Sequence, residues 1–324
     1  MTISIAEYLK DIGRGHAGAR PLSIERAERM FEAIFSGQVT DLELGAAMIA
    51  LRVKGETVGE VQGALHALEP HIDKVAVDAS RPVVVIPSYN GARNMANLTP
   101  LLACLLADRG IQVVMHGVRL DPKRTTSHQI LAAMGIPGVE SVGQGRDVMA
   151  RSDPVFVPID VLSPALARLL ALRWILGVRN IGHTLAKLLN PSDSARCLRM
   201  VSFTHPEFDR LQHQLLIEEQ LSALVMRGTE GEVVANARRQ ARIDFLQGGS
   251  CSTLVQAQVV ASGEQPSLPA ALDAQATAQW TRSVLAGERS VPDAIAQQVE
   301  AIVTVLESSM TAEVVTVQPA ARKP

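Results

Sequence analysis

The sequence has 324 residues, 47% hydrophobic, 20% charged and 3% aromatic, with a formal net charge of −2. So long and apolar a chain buries more than one average core, so two units, or one large domain with a small partner, are expected. No apolar run reaches the roughly 18 residues that cross a bilayer, and Met1-Thr2-Ile3-Ser4 opens no basic-then-apolar leader, so a cytoplasmic protein is expected, neither secreted nor membrane-inserted.

The three cysteines, Cys104, Cys197 and Cys251, are odd in number and widely spaced. They suggest neither a disulfide framework nor a paired metal site, and fit a reducing compartment. The charge is unevenly spread. Residues 1–80 carry eight Lys/Arg against twelve Asp/Glu, whereas residues 81–200 carry fourteen against seven. A basic island between acidic flanks bears on anionic partners and says nothing about fold.

From Ile3 to about His71 apolar residues recur three and four apart, as in Ala27, Met30, Phe31, Ile34 and Phe35, which predicts helices. Asp41 and Thr57 read as helix N-caps, the second with Glu60 placed for a capping box. At Arg81-Pro82 the texture changes to short buried strands alternating with helices. Strands are expected at Val83–Ile86, Ile111–Met115, Val155–Ile159, Leu198–Phe203 and Ala223–Met226, with helices at Leu98–Arg109 and Ser127–Met134. Gln247–Pro269 reads as a loop excursion, and a helix is expected near Pro292–Leu306. This alternation implies an α/β fold: a mostly parallel central sheet flanked by helices, beside a small N-terminal helical unit. The expected division is a helical, dimerising domain at 1–75, joined by helices from about 163–190, and an α/β domain at 76–324. Ligands of such sheets meet the loops at the carboxyl ends of the strands.

Arg52-Val53-Lys54-Gly55-Glu56-Thr57 resembles the Leu-Arg-x-Lys-Gly-Glu-Thr stretch in the helical domain of anthranilate phosphoribosyltransferases, and the likeness runs from about Ile12 to Val234. The resemblance implies a small helical domain, often dimerising, on an α/β domain, with phosphoribosyl pyrophosphate between them. Enzymes of that family follow the first strand with Gly-Thr-Gly-Gly-Asp and then Asn-x-Ser-Thr, so that bare amides cradle pyrophosphate. Here the run is Pro87-Ser88-Tyr89-Asn90-Gly91 and then Asn97-Leu98-Thr99-Pro100. Lys-His-Gly-Asn-Arg has become Met115-His116-Gly117-Val118-Arg119, and the aspartate and glutamate that hold magnesium align with Val233 and Val234. Arg173 matches the arginine that contacts anthranilate. Ser88, Tyr89, Asn90, Gly91, Asn97, Thr99, His116, Gly117 and Arg173 would therefore outline a vestigial phosphate and substrate site. No cofactor is expected, magnesium only if transferase activity survives.

These departures resemble the YbiB-type branch of the family, which implies binding of DNA and RNA without sequence preference. The residues point the same way. Arg93, Arg119, Lys123 and Arg124 follow two strands, and Arg168, Arg173, Arg179, Lys187, Arg196 and Arg199 lie in a stretch whose single acid is Asp193. Together they are expected to line a basic interdomain groove contacting phosphates. The bland alternatives are a solvated surface, and for Arg173 and Arg179 an ion pair with an acid such as Asp160. His116 and His183 read as structural histidines, and Tyr89 and Trp174 as packing residues. Ser88, Thr99 and His183 have no recognisable triad spacing, and no catalytic or metal-binding residue is assigned. Besides a nucleic-acid-binding homodimer, the sequence leaves open a divergent phosphoribosyltransferase or nucleoside phosphorylase, and a protein-interaction scaffold built on the helical unit.

Overall fold

The computed structural model describes residues 2–15, 17–194, 196–258 and 267–316. Four helices open it: α1 (Ala6–Ile12), α2 (Ile24–Phe35), α3 (Asp41–Lys54) and α4 (Val58–Leu68). The sheet region then runs β1 (Val83–Ser88), α5 (Thr99–Asp108), β2 (Gln112–Gly117), α6 (Ser127–Ala133), α7 (Gly145–Met149) and β3 (Val155–Pro158). Helices α8 (Ile159–Leu162), α9 (Pro164–Leu176) and α10 (Gly182–Leu185) lead back toward the helical layer before β4 (Cys197–Phe203), α11 (Pro206–Glu218) and β5 (Ala223–Arg227). A hairpin, β6 (Ile243–Gln247) and β7 (Ser250–Val255), and helices α12 (Ala274–Leu285) and α13 (Asp293–Thr316) complete it.

In α2 the residues read as one apolar face, Ala27, Met30, Phe31, Ile34 and Phe35, are all buried. Each large apolar side chain so buried contributes about 1.5–3 kcal/mol. Helix α4 packs on α2 at backbone contact, because Gly63 presents no Cβ to the Ile24 carbonyl and the Glu28 amide. Thr57 caps α4 with the expected capping box to Glu60. The cap of α3 is one residue earlier than expected: Thr40 accepts the Glu43 amide and Asp41 is already helical. Its hydroxyl reaches the N3 amide, while the Asp41 carboxylate still favours the positive helix start.

The sheet order is β3-β2-β1-β4-β5-β6-β7. The first five strands are parallel, and β6 and β7 are antiparallel. Successive residues of β1 feed opposite cores. Val83 and Val85 join a cluster continuous with the helical layer, and Val84 and Ile86 join one beneath α5, α12 and α13. Burial on both faces explains the unbroken β-branched run. The expected excursion at 247–269 is corrected for its first part: Gly248-Gly249 turns the β6–β7 hairpin. Residues 259–266 of that stretch lie outside the described residues. The helix expected near Pro292–Leu306 is the longer α13.

Candidate functional site

Strands β1, β2, β4 and β5 end together, and their loops face the segment joining α9 to α10. The loop after β1 is built to receive anions, and two internal carboxylates fill it. The amides of Asn90 and Gly91 each donate to Glu232 Oε1 at 2.8 Å, and the Thr99 hydroxyl donates to Oε2 at 3.3 Å. The amides of Asn94 and Met95 donate to Glu230 Oε1 at 2.9 Å, joined at 3.3 Å by the Arg93 amide and Asn94 Nδ2. Both acids come from the turn after β5. Glu230 itself holds φ 52°, and Gly231 holds φ 91° with no room for a Cβ against Asn90 Nδ2. Ser202 Oγ and Lys187 Nζ donate to the Gly231 carbonyl from beneath, at 2.9 and 3.2 Å.

The other outlined residues knit the loops together. Ser88 Oγ donates to Ser127 Oγ at 2.7 Å, and Asn97 Nδ2 reaches the same oxygen at 3.1 Å. The Tyr89 hydroxyl meets His116 Nδ1 at 2.7 Å, with the two rings edge to face. Full burial lowers the His116 pKa to about 3, so the ring is neutral at physiological pH. Gly117 ends β2 beside Ser88. Tyr89 and His116 are thus each other's partners, between the loop and the cleft.

Beyond this loop lies a cleft of about 170 Å³ lined by Tyr89, Leu120, Asp121, Arg173, Trp174 and His183, among others. Arg173 stacks on Trp174, its guanidinium carbon 4.5 Å from the ring centroid, and reaches Asp121 at 3.5 Å. Trp174 is 54% exposed, which corrects its reading as a packing residue. Arg179 has no hydrogen-bond or ion-pair partner among the described residues. Burial, then Arg173 and Arg124, lower its pKa to about 10. His183, drawn down to about 3 by burial and by Arg179, is also neutral. Arg93 and Lys123, in the loops after β1 and β2, are exposed, their side chains unpartnered among the described residues.

The expected groove is therefore smaller than the sequence suggested, and most of its ten cations need correction. Arg119 is clamped by Glu140 at 2.9 Å and Asp160 at 3.1 Å, and Arg168 pairs with Asp41 at 2.8 Å on the helical layer. Arg124 is turned inward to the Gly91 carbonyl and Glu230. Lys187, lowered to about 8 by burial, is committed to the Ser202 and Gly231 carbonyls. Arg196 and Arg199 lie toward the amino end of β4, where Cys197 pairs with Val83. Val83 lies five strand steps from Ser88 and Val85, the partner of Arg199, lies three, which places Cys197 about 17 Å and Arg199 about 10 Å back from the end of β1. Arg93, Lys123, Arg173 and Arg179 remain. Asp160, considered as a partner for Arg173 or Arg179, holds Arg119 instead.

The residues do not fit magnesium. Val233 and Val234 are buried in the apolar core, and the Glu230 and Glu232 carboxylates already accept the donors just described. Among the described residues a different group with ligand atoms in reach of one another is His213, Asp244 and Cys251, within 4.8 Å at the antiparallel edge of the sheet. There Arg242 and Thr253 donate to Asp244 at 2.8 and 2.7 Å, and burial raises the Cys251 thiol, so an ion-pair knot accounts for the cluster.

The Lys54-Gly55-Glu56-Thr57 motif is a structural joint. Glu60, fully buried, accepts Lys54 Nζ at 2.6 Å, the Leu22 amide at 3.1 Å, and both the amide and hydroxyl of Thr57 at 3.0 Å. Glu56, its pKa raised by burial, accepts the Thr184 hydroxyl and so ties α10 to the helical layer.

Comparison with known proteins agrees with this architecture. The glycosyl transferase family helical bundle domain matches residues 6–70. The uncharacterized protein YbiB of Escherichia coli K12 is 41% identical over 290 residues, covering 89% of this chain and 90% of its own. The anthranilate phosphoribosyltransferase of Oleidesulfovibrio alaskensis is 26% identical over 310 residues, covering 94% and 92%. The chain belongs to the anthranilate phosphoribosyltransferase-like family. Among solved structures, the anthranilate phosphoribosyltransferase of Thermus thermophilus superposes with TM-score 0.69 at 23% identity, covering 90% of this chain and 85% of that one. The Saccharomyces cerevisiae enzyme in complex with PRPP and Mg gives the same score at 14% identity, covering 91% and 86%. This member of the anthranilate phosphoribosyltransferase-like family keeps the helical bundle and the sheet, and fills its own amide loop after β1 with two of its acids. Among its described residues no helix is long and apolar enough to cross a membrane.

Sequence reasoning missed what Glu230 and Glu232 do. The cue was present: two acids in the Gly-rich turn Gly228-Thr229-Glu230-Gly231-Glu232, while the acid of the loop opposite had become Gly91.

Proposed function

We propose that this cleft binds nucleic acid without sequence preference, holding backbone phosphates with Arg93, Lys123, Arg173 and Arg179, and that the protein does not transfer phosphoribosyl groups. The observation that carries the reading is Arg179, a half-buried guanidinium with no partner among the described residues, beside a second arginine and an exposed tryptophan. A site that holds two cations at close quarters favours an external anion. Trp174 adds a surface on which an unpaired base can stack, worth about 1–3 kcal/mol per base. The missing fit for magnesium and the filled amide loop support the non-catalytic part of the proposal.

Two copies of the chain associate, in this reading, through the helical layer. Leu42, Ile49 and Val53 are exposed at spacings of seven and four along α3, one apolar stripe on its outer face. Light scattering of the wild type and of an Ile49→Glu/Val53→Glu variant tests this: the first should run as a dimer and the second as a monomer.

Fluorescence anisotropy with arbitrary single-stranded DNA, RNA and duplex, at two salt concentrations, tests the main proposal. Each probe should bind, with log affinity falling linearly against log salt. Arg179→Glu with Lys123→Glu should weaken all probes alike and flatten the slope. No binding at low salt, or turnover of anthranilate with phosphoribosyl pyrophosphate, would overturn it; turnover would establish the divergent transferase instead.

A further inference from the structure

The geometry points to Glu230 and Glu232 as intramolecular stand-ins for a diphosphate, closing the amide loop after β1 to outside anions. The inference is independent of what the neighbouring cleft binds. Four main features support it.

The donors converge as they would on a bound anion. Two successive amides and a helix-start hydroxyl serve one carboxylate, and three successive amides and a side-chain amide serve the other. The loop gains nothing from these amides except an acceptor: no strand or helix partner takes them. The acids reach these donors from 133 positions or more away in sequence, as the separation of Thr99 from Glu232 shows. They are presented by a costly backbone, since Glu230 occupies the left-handed region that side chains disfavour and Gly231 leaves no space for a Cβ. Finally, Arg124 sits 3.6 Å from Glu230 and is turned to the same turn, a cation placed for a charge that the chain itself provides.

An internal carboxylate differs from a phosphate in one decisive way: it never dissociates. The loop is thereby held in one conformation irrespective of the surrounding phosphate, diphosphate and nucleotide concentrations. Removing the carboxylates leaves the donors unpaired and should turn the loop into an open anion site. Glu230 is the gentler replacement, because the amides it serves at Arg93 and Asn94 lie at the exposed rim.

The test uses the full chain and inorganic pyrophosphate without metal. With Arg173→Met/Arg179→Met in place to remove the arginines of the neighbouring cleft, protein that keeps both acids should give no heat on titration and no change in melting temperature. In the same background Glu230→Ala, and more so Glu230→Ala/Glu232→Ala, should melt lower than that protein without ligand and gain roughly 2 °C or more at saturating pyrophosphate. Far-UV circular dichroism establishes that each variant is folded. Pyrophosphate binding by the Arg173→Met/Arg179→Met protein with both acids in place would overturn the inference on its own, whatever the acid variants do. So would a folded Glu230→Ala whose melting is indifferent to pyrophosphate.

Discussion

Arg179 allows the clearest test, because it should hurt stability and serve binding at once. Its guanidinium is desolvated by burial and repelled by Arg173 and Arg124, which together, against the pull of Asp121 and Glu232, bring its pKa down to about 10. At about 1.4 kcal/mol per pH unit, that depression corresponds to about 3 kcal/mol disfavouring the charged side chain in the folded protein. At neutral pH the group is protonated folded or unfolded, so the cost is present in full and relieved only above about 10. Water at the open side of the cleft screens part of it, leaving about 1–2 kcal/mol. Arg179→Met keeps an unbranched stem against the wall and removes the charge. Urea denaturation at pH 7 should show the variant more stable than wild type by that amount, while anisotropy shows weaker binding of every nucleic-acid probe. As a control, Arg93→Met at the exposed rim should leave stability within about 0.5 kcal/mol. If Arg179→Met is less stable than wild type, Arg179 is held by an interaction other than those described and the account of a strained cation waiting for an anion is wrong.

Three further outcomes follow from buried polar groups. His116 titrates near its ordinary 6.5 when unfolded and at about 3 when folded, so its contribution to stability is complete above 6.5 and is lost as pH falls toward 3. By pH 5 that loss is about 2 kcal/mol, and His116→Asn, which keeps an acceptor for Tyr89, should lose correspondingly less between pH 7 and pH 5 in urea melts. Lys187 has the same sign at higher pH: lowered to about 8 by burial, it makes the fold gain stability as pH rises from there toward 10.5, a slope that Lys187→Met should abolish. Glu60→Ala leaves a buried Lys54 and two amides without an acceptor and should cost about 3–5 kcal/mol by chemical denaturation.

The strands were legible because β1, β2, β4 and β5 are buried on both faces and therefore written in unbroken apolar runs. The β6–β7 hairpin was not, because Ser250-Cys251-Ser252-Thr253 is an exposed polar edge. Its Gly248-Gly249 turn was the only local cue. For the site, each loop could be found from its own residues, and the loss of the open glycine turn was visible at Tyr89-Asn90. What could not be found was which charges neutralise which. Arg119 meets Glu140 and Asp160, Arg168 meets Asp41, and the amide loop meets acids from beyond β5, all pairings that depend on topology and leave no periodic trace. A count of cations along the chain overestimates a binding surface for this reason, since burial of one partner decides whether a positive charge still faces water.

The core that joins the helical layer to one face of the sheet has a kinetic corollary. Since apolar packing passes without a break from α2 and α4 to β1 and β4, the walls of the cleft form one body, with no greasy seam along which they could swing apart. A ligand must then arrive at an aperture already at its final width. Its capture should be a single encounter governed by ionic strength, with no slower second phase in stopped-flow traces.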